Sequence, residues 1–371
     1  MTMLTHPTTA RNILQYESDS QKLMLVWARK LPKIDLHRHL EGSLRLQTLA
    51  EIAMEHGIDL PSYDVEQLRP YVQVTDDYPD FHRFLEKFKL LRRFYTSKEA
   101  VQRITQEALL DAVADNIRYL ELRFNPVALS RAQSFSLGDV VSWVTEAAAE
   151  SQKHNDIRTC LILQIGREES LHVAEEIVDL GIAFHGPLVR GIDLAGDELN
   201  YPARRFEKPF QRARAAGLHV TVHAGEASGA ASVYDAVTLL GAERIGHGIR
   251  AVENSEVVQL LYRRKIALEV CPTSNFQTGA VPGLTVHPLI DLFGLRLRVT
   301  INTDDPSVSD TTLSDEYLVA IKAIGLPRRL IFRALRNAIE AAFIPDEERE
   351  GLRARFREEL AGCPEALEEF L

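Results

Sequence analysis

Short apolar, β-branched runs alternate along the chain with longer stretches whose apolar residues recur every three or four positions. The short runs are Lys33–Leu40, Ile117–Phe124, Arg158–Ile165, Val189–Leu194, Leu218–His223, Arg244–His247, Ile266–Cys271 and Leu297–Thr303. They predict eight strands. The helix-period segments between them include Val101–Ala114, Leu137–Gln152, Leu171–Leu180, Glu207–Ala216 and Ser232–Leu240. Strand–helix alternation favours parallel βαβ units. Eight such units predict an α/β protein built as a (β/α)8 TIM barrel, with extra helices after strand 1 and at the termini.

The unit after the first strand is oversized. Residues 41–115 form a helical insertion, and Phe81, Phe84, Leu85, Phe88, Leu91 and Tyr95 within it fall at helical spacing. An ordinary amphipathic helix on a core explains that pattern. A lid that adds an apolar wall to a ligand site explains it too. Residues 1–30 read as an N-terminal helical extension, and Asp346–Leu371 as a charged, solvated helix. The whole chain, 1–371, reads as a single barrel domain.

Composition narrows the class. Of 371 residues, 45% are hydrophobic and 26% charged, which excludes a disordered or disulfide-stapled chain. The net charge of −10 argues against nucleic-acid binding through a basic surface. Cys160, Cys271 and Cys363 are far apart and never form a CxxC pair, as expected for reduced thiols. The apolar run Leu23–Ala28 is too short to span a membrane, and the first twenty residues lack a secretory apolar core. A cytoplasmic location is expected.

The strand-like runs end in polar residues that a core would not select. In strand one, His37 and His39 are two apart and share a face, while Arg38 points the other way. Strand five ends in His223, with Glu226 three residues on. Strand six ends in His247 between two glycines, and strand eight leads into Asp304, Asp305 and Pro306. Chemistry in such barrels sits at the C-terminal ends of the strands. Each feature alone is weak, since a lone histidine is more often structural and Asp-Pro is a common turn. Their conjunction at four strand ends is not. His6, His56, His82, His154, His172, His185 and His287 have no partner in this pattern and read as structural. His219 lies at the wrong end of strand five and reads the same way.

Imidazoles and a carboxylate on converging strand ends suit Zn²⁺ or another borderline divalent ion. Water on such an ion drops from a pKa of 15.7 to about 7. Glu226 is then placed to shuttle a proton, His247 to orient or deprotonate the water, and Asp305 to hydrogen-bond a substrate.

Six segments, in order, resemble the adenosine deaminase family of the metal-dependent amidohydrolase superfamily. They are Asp35-Leu-His-Arg-His-Leu-Glu-Gly-Ser43, Ile192-Asp-Leu-Ala-Gly-Asp-Glu198, Val222-His-Ala-Gly-Glu226, Arg244-Ile-Gly-His-Gly248, Cys271-Pro-Thr-Ser-Asn275 and Asn302-Thr-Asp-Asp-Pro306. The resemblance covers about residues 30–345. It implies one zinc ion held by His37, His39, His223 and Asp304, and catalytic roles for Glu226, which protonates purine N1, and His247. It implies substrate contacts from His39, Glu41, Gly196 and Asp305, with Asp305 at N7 and the Gly196 N–H at N3. The implied activity is hydrolytic deamination of adenosine and 2′-deoxyadenosine to inosine and 2′-deoxyinosine with release of ammonia, a reaction of purine metabolism.

One position departs from the pattern. Adenosine-specific members usually carry Asp where this chain has Glu41, the carboxylate expected at the ribose 5′-hydroxyl. Glu there resembles adenine deaminases and some aminodeoxyfutalosine deaminases, whereas Cys271–Asn275 and Thr303–Pro306 resemble the adenosine branch. Binuclear relatives bridge two metals through a lysine on strand four, and no lysine occurs from Val189 to Tyr201. The PCxxC half of the HxE and PCxxC signature of nucleic-acid deaminases is absent. A non-catalytic purine-binding protein would have lost a ligand, Glu226 or His247, and none is lost.

Overall fold

The computed structural model describes Leu14 and residues 19–75 and 77–370. Eight strands form one parallel sheet in sequential order: β1 (Lys33–His39), β2 (Ile117–Phe124), β3 (Arg158–Gly166), β4 (Val189–Ala195), β5 (His219–Ala224), β6 (Arg244–His247), β7 (Ala267–Val270) and β8 (Arg298–Ile301). Each predicted strand is present, with ends within two residues of the expectation. The strands are almost wholly buried on both faces, as parallel strands are when helices cover the outside. Three of the covering helices, Lys98–Ala114, Leu137–His154 and Leu171–Ala183, begin at Ser97, Ser136 and Ser170. Each serine side chain accepts from a backbone N–H of the first turn.

The sheet closes where the chain passes β8. The His39 N–H donates to the Asp304 carbonyl and the Asp304 N–H to the His37 carbonyl, both at 2.8 Å. The Leu36 N–H donates to Asn302 Oδ1 at 2.9 Å. Asp35 reinforces the seam: its Oδ2 accepts from Thr303 Oγ1 at 2.6 Å and from Arg38 Nε at 3.1 Å. Arg38 does point away from His37 and His39, but into this buried ion pair.

Among the described residues the insertion contributes four α-helices, α1 (Leu46–His56), α2 (Val65–Val72), α3 (Phe81–Leu91) and α4 (Lys98–Ala114). Asp80 caps α3 by accepting from the Arg83 N–H. Of the N-terminal extension, a helix over Asp19–Lys30 is described, and its Trp27 packs edge-on against Phe332 at 6.3 Å. Residues 1–13 and 15–18 lie outside the described residues. The C-terminal segment differs from expectation. It is two helices, Asp346–Glu359 and Pro364–Phe370, broken near Gly362 and Pro364, and Phe356 and Phe370 are buried against each other. Charge dominates that stretch, so the sparse apolar stripe was outweighed in the composition.

The barrel floor is a buried charge network. Arg244 Nη2 donates to Glu121 Oε2 and its Nε to Glu269 Oε1, each at 2.5 Å, and the guanidinium lies 3.5 Å from the Phe343 ring centre. Arg123 donates to Asp193 at 3.1 Å and to Glu269 at 2.8 Å. His219 lies outside this network, stacked on Phe343 at 4.5 Å and paired with Glu243.

Truncating Arg244 to Met would leave Glu121 and Glu269 under-compensated in a dry interior. The expected cost is about 3–5 kcal/mol of stability, read from the urea midpoint. A loss below about 1 kcal/mol would mean that the pair contributes nothing net.

Candidate active site

His37, His39, His223, Glu226, His247, Asp304 and Asp305 are all buried and meet at the C-terminal end of the barrel. Asp304 Oδ1 lies 3.1 Å from His37 Nε2 and 3.2 Å from His39 Nε2. His39 Nε2 is 3.2 Å from His223 Nε2. His37 Nε2 is fully buried and, despite its nearness to Asp304, has no aligned hydrogen bond. Donor atoms of His37, His223, His247 and Asp304 lie within 4.8 Å of one another, and so do those of His39, Asp304 and Asp305.

The far nitrogens explain which lone pairs converge. His37 Nδ1 is 2.8 Å from Glu269 Oε2, and His223 Nδ1 is 3.0 Å from Asp193 Oδ2. A carboxylate accepts, so each Nδ1 carries the proton and each Nε2 presents a lone pair. Burial brings the His223 pKa down to about 4, so the ring is neutral. Burial alone would raise Asp304, but His37 and His39 hold it well below the usual carboxylate range. Neutral imidazoles and one ionised carboxylate sharing a point are what a divalent cation requires.

The backbone is strained at two of these positions. His247 has φ +60° and Asp304 φ +63°, both in the left-handed region that non-glycine residues seldom enter. Such outliers persist where surrounding structure over-determines them, and here the seam and the flanking glycines do so. At Gly246 a Cβ would lie 2.9 Å from His37 Cε1, so the glycine is what lets the rings close up.

Glu226 sits on a loop gathered by Glu198. That carboxylate accepts from the backbone N–H groups of Gly225, Glu226, Ala227 and Ser228 at 2.7–3.2 Å. Burial, then the charges of Asp304 and Glu198, push the Glu226 carboxyl well above its ordinary range, while a 3.0 Å hydrogen bond from Thr278 Oγ1 opposes the shift. Glu226 Oε2 is 3.5 Å from His247 Nε2. Burial and the neighbouring Asp304 push Asp305 up as well. Burial raises Glu41, whose Oε1 accepts from the Asn125 N–H at 2.8 Å and whose Oε2 is without a partner.

Beside these groups opens a pocket of about 80 Å³. Helix α3 supplies its apolar wall through Phe81, Phe84, Leu85 and Phe88. Leu91 and Tyr95 are buried and do not line it. Gly196, at φ +107°, lines the pocket beside Ala195.

Several residues here carried no assignment from the sequence. Glu269, Asp193, Glu198 and Asn275 stand in or beside the quoted segments, but only the fold reveals what each touches. Gln164, buried at the end of β3 with an unpartnered Oε1, and Arg92, just past α3, also line the pocket. His287, read as structural, is hydrogen-bonded to Asn275 at 3.3 Å, and Asn275 reaches His247 at 3.0 Å.

The sequence profile described as adenosine deaminase matches residues 32–359. An adenosine deaminase of Shigella flexneri is 39% identical over 325 residues, covering 88% of this chain and 97% of that protein. The solved adenine deaminase of Arthrobacter aurescens superposes with TM-score 0.82 at 31% identity, covering 90% of this chain and 98% of that one. An amidohydrolase of Burkholderia ambifaria with bound zinc superposes with TM-score 0.82 at 27% identity, covering 93% and 94%. Among the described residues no helix is long and apolar enough to cross a membrane.

Asp304→Asn should abolish metal retention through gel filtration, measured by elemental analysis. Asp193→Asn, which removes the orienting charge behind His223, should weaken metal affinity by about ten- to a hundredfold in a chelator competition. Unchanged affinity in both variants would move the metal elsewhere.

Proposed function

Because the chain belongs to the adenosine deaminase family, whose members are hydrolytic, metal-dependent enzymes, we propose that it deaminates adenosine and 2′-deoxyadenosine using one zinc ion held by His37, His39, His223 and Asp304. The single observation that carries this reading is the convergence of those lone pairs beside a buried carboxyl at Glu226, whose pKa burial pushes up. When bound, zinc supplies a Lewis acid that brings the pKa of a water to about 7.

The other residues then divide the work. Glu226, kept protonated by burial, gives its proton to purine N1, which makes C6 electrophilic. The carboxylate left behind is held by the Thr278 hydroxyl. His247 faces both Glu226 and Asp304 and orients the attacking water toward C6. Addition of water and departure of ammonia convert the amine-bearing carbon to a carbonyl. Asp305, also raised, is a donor, and purine N7 is an acceptor. N3 lies opposite C6 across the six-membered ring, and Gly196, which lines the pocket on the β4 side away from β8, offers it a backbone N–H.

The sugar falls on the β1–β3 side. Support comes from two buried acceptors without partners there, Glu41 Oε2 and Gln164 Oε1, which complement hydroxyl donors. The apolar wall of α3 covers the ring. A second reading, with adenine itself as substrate, is favoured by Glu41 in place of Asp and by the likeness to the Arthrobacter enzyme. The deciding experiment is a panel of kcat/KM values on adenosine, 2′-deoxyadenosine, adenine and aminodeoxyfutalosine. Highest kcat/KM on the two adenosine nucleosides supports the proposal, and outright preference for adenine or aminodeoxyfutalosine overturns the substrate.

Glu226→Gln should retain metal and lose about 10²–10⁴ in kcat. Near wild-type turnover with full metal would remove Glu226 as the acid. Glu41→Ala should cost adenosine about tenfold to more than a hundredfold in kcat/KM, the worth of a hydrogen bond to a charged group, and leave adenine nearly unchanged. Glu41→Asp should recover part of the loss. Equal losses on both substrates would exclude a sugar contact.

A further inference from the structure

We infer that His287 and Asn275 are positioning residues that fix the tautomer of His247, so that its Nε2 carries the proton and faces the reacting groups. The inference rests on His247 being catalytic, as proposed above, but its argument is independent hydrogen-bond bookkeeping.

The chain of bonds starts at a group whose role is not negotiable. The backbone N–H of Leu289 donates to His287 Nδ1 at 3.1 Å. His287 Nδ1 is therefore an acceptor, and the proton of the neutral ring must sit on Nε2. The ring is neutral because burial brings its pKa down to about 3. His287 Nε2 lies 3.3 Å from Asn275 Oδ1, so it donates there. That contact orients the Asn275 amide, and its Nδ2 must then donate to His247 Nδ1, 3.0 Å away. His247 Nδ1 is in turn an acceptor, and the His247 proton is on Nε2. The whole relay has one consistent proton assignment.

The far end agrees with that assignment. His247 Nε2 lies 3.8 Å from Oδ2 of the Asp304 carboxylate and 3.5 Å from Oε2 of the Glu226 carboxyl. A lone pair aimed at the Asp304 carboxylate would be repelled, whereas an N–H is attracted. All three relay side chains are buried, so water does not compete for the bonds. His247 thus enters the reaction as a donor that holds the attacking oxygen. It takes no proton at Nε2 unless the relay is broken.

Asn275→Asp keeps the shape and replaces the amide donor with an acceptor. His247 Nδ1 must then carry a proton to meet it, as it would in the opposite tautomer. In ¹⁵N-histidine NMR of the metal-loaded protein, wild type should show a bare Nδ1 and a protonated Nε2 at His247, and Asn275→Asp a protonated Nδ1. Its kcat on adenosine should fall about a hundredfold, with KM within about twofold and metal content unchanged. His287→Gln, whose amide can still donate to Asn275, should keep most of kcat, while His287→Phe should lose it. A wild-type His247 protonated on Nδ1 overturns the inference whatever the variants do. So do equal activities of His287→Gln and His287→Phe. If His247→Ala leaves turnover intact while the NMR assignment holds, the catalytic role fails and the tautomer relay survives as structure.

Discussion

Three imidazole nitrogens and a carboxylate oxygen linked by contacts of 3.1–3.2 Å in a dry interior are the constraint around which this fold is arranged. Lone pairs repel at that range, and only a cation between them makes the cluster favourable. Everything behind the cluster serves to hold it. Asp193 and Glu269 aim two of the rings, and Arg123 spans both acids so that neither buried charge is left alone. Arg244 ties Glu269 to Glu121, which joins the site to the barrel floor. The Asp35–Arg38–Thr303 lock keeps β1 and the segment after β8 in register, and thereby the spacing of His37, His39 and Asp304.

The reacting groups and the orienting groups were unequally legible in the sequence. His37, His39, His223, Glu226, His247 and Asp304 lie at strand ends, where polar residues interrupt apolar runs, and that contrast is visible in one dimension. All eight strands were legible for the same reason. Asp193 and Glu269 sit inside apolar strands, and their meaning depends on rings contributed by other strands. Glu198 is a loop carboxylate whose four N–H partners lie 27 to 30 residues away. His287 has no motif around it, and only the turn that brings it onto Asn275 gives it a role. The insertion was legible as helices, but whether α3 faced core or pocket could not be read from its periodicity, because both faces it presents are apolar.

Pocket and metal cluster together account for why one barrel can do this chemistry on a planar base. The half of the mouth built from β5, β6, β8 and the end of β1 gathers charge and protons around one carbon. The opposite half, β2 to β4 with α3 above, holds the apolar face of α3, a glycine backbone at Gly196 and a few unspent acceptors. Chemistry and specificity are therefore separated in space. Under the proposed function, changes at Glu41 or Gln164 act on what hangs from the purine, and changes around Glu226 act on turnover.

The most direct test is anomalous diffraction from crystals of the zinc-loaded protein, measured on both sides of the zinc absorption edge. The account predicts one peak per chain, within bonding distance of His37 Nε2, His39 Nε2, His223 Nε2 and an Asp304 oxygen, with His247 and Glu226 outside that distance. Two peaks, or one peak bonded to His247 in place of His39, would contradict it.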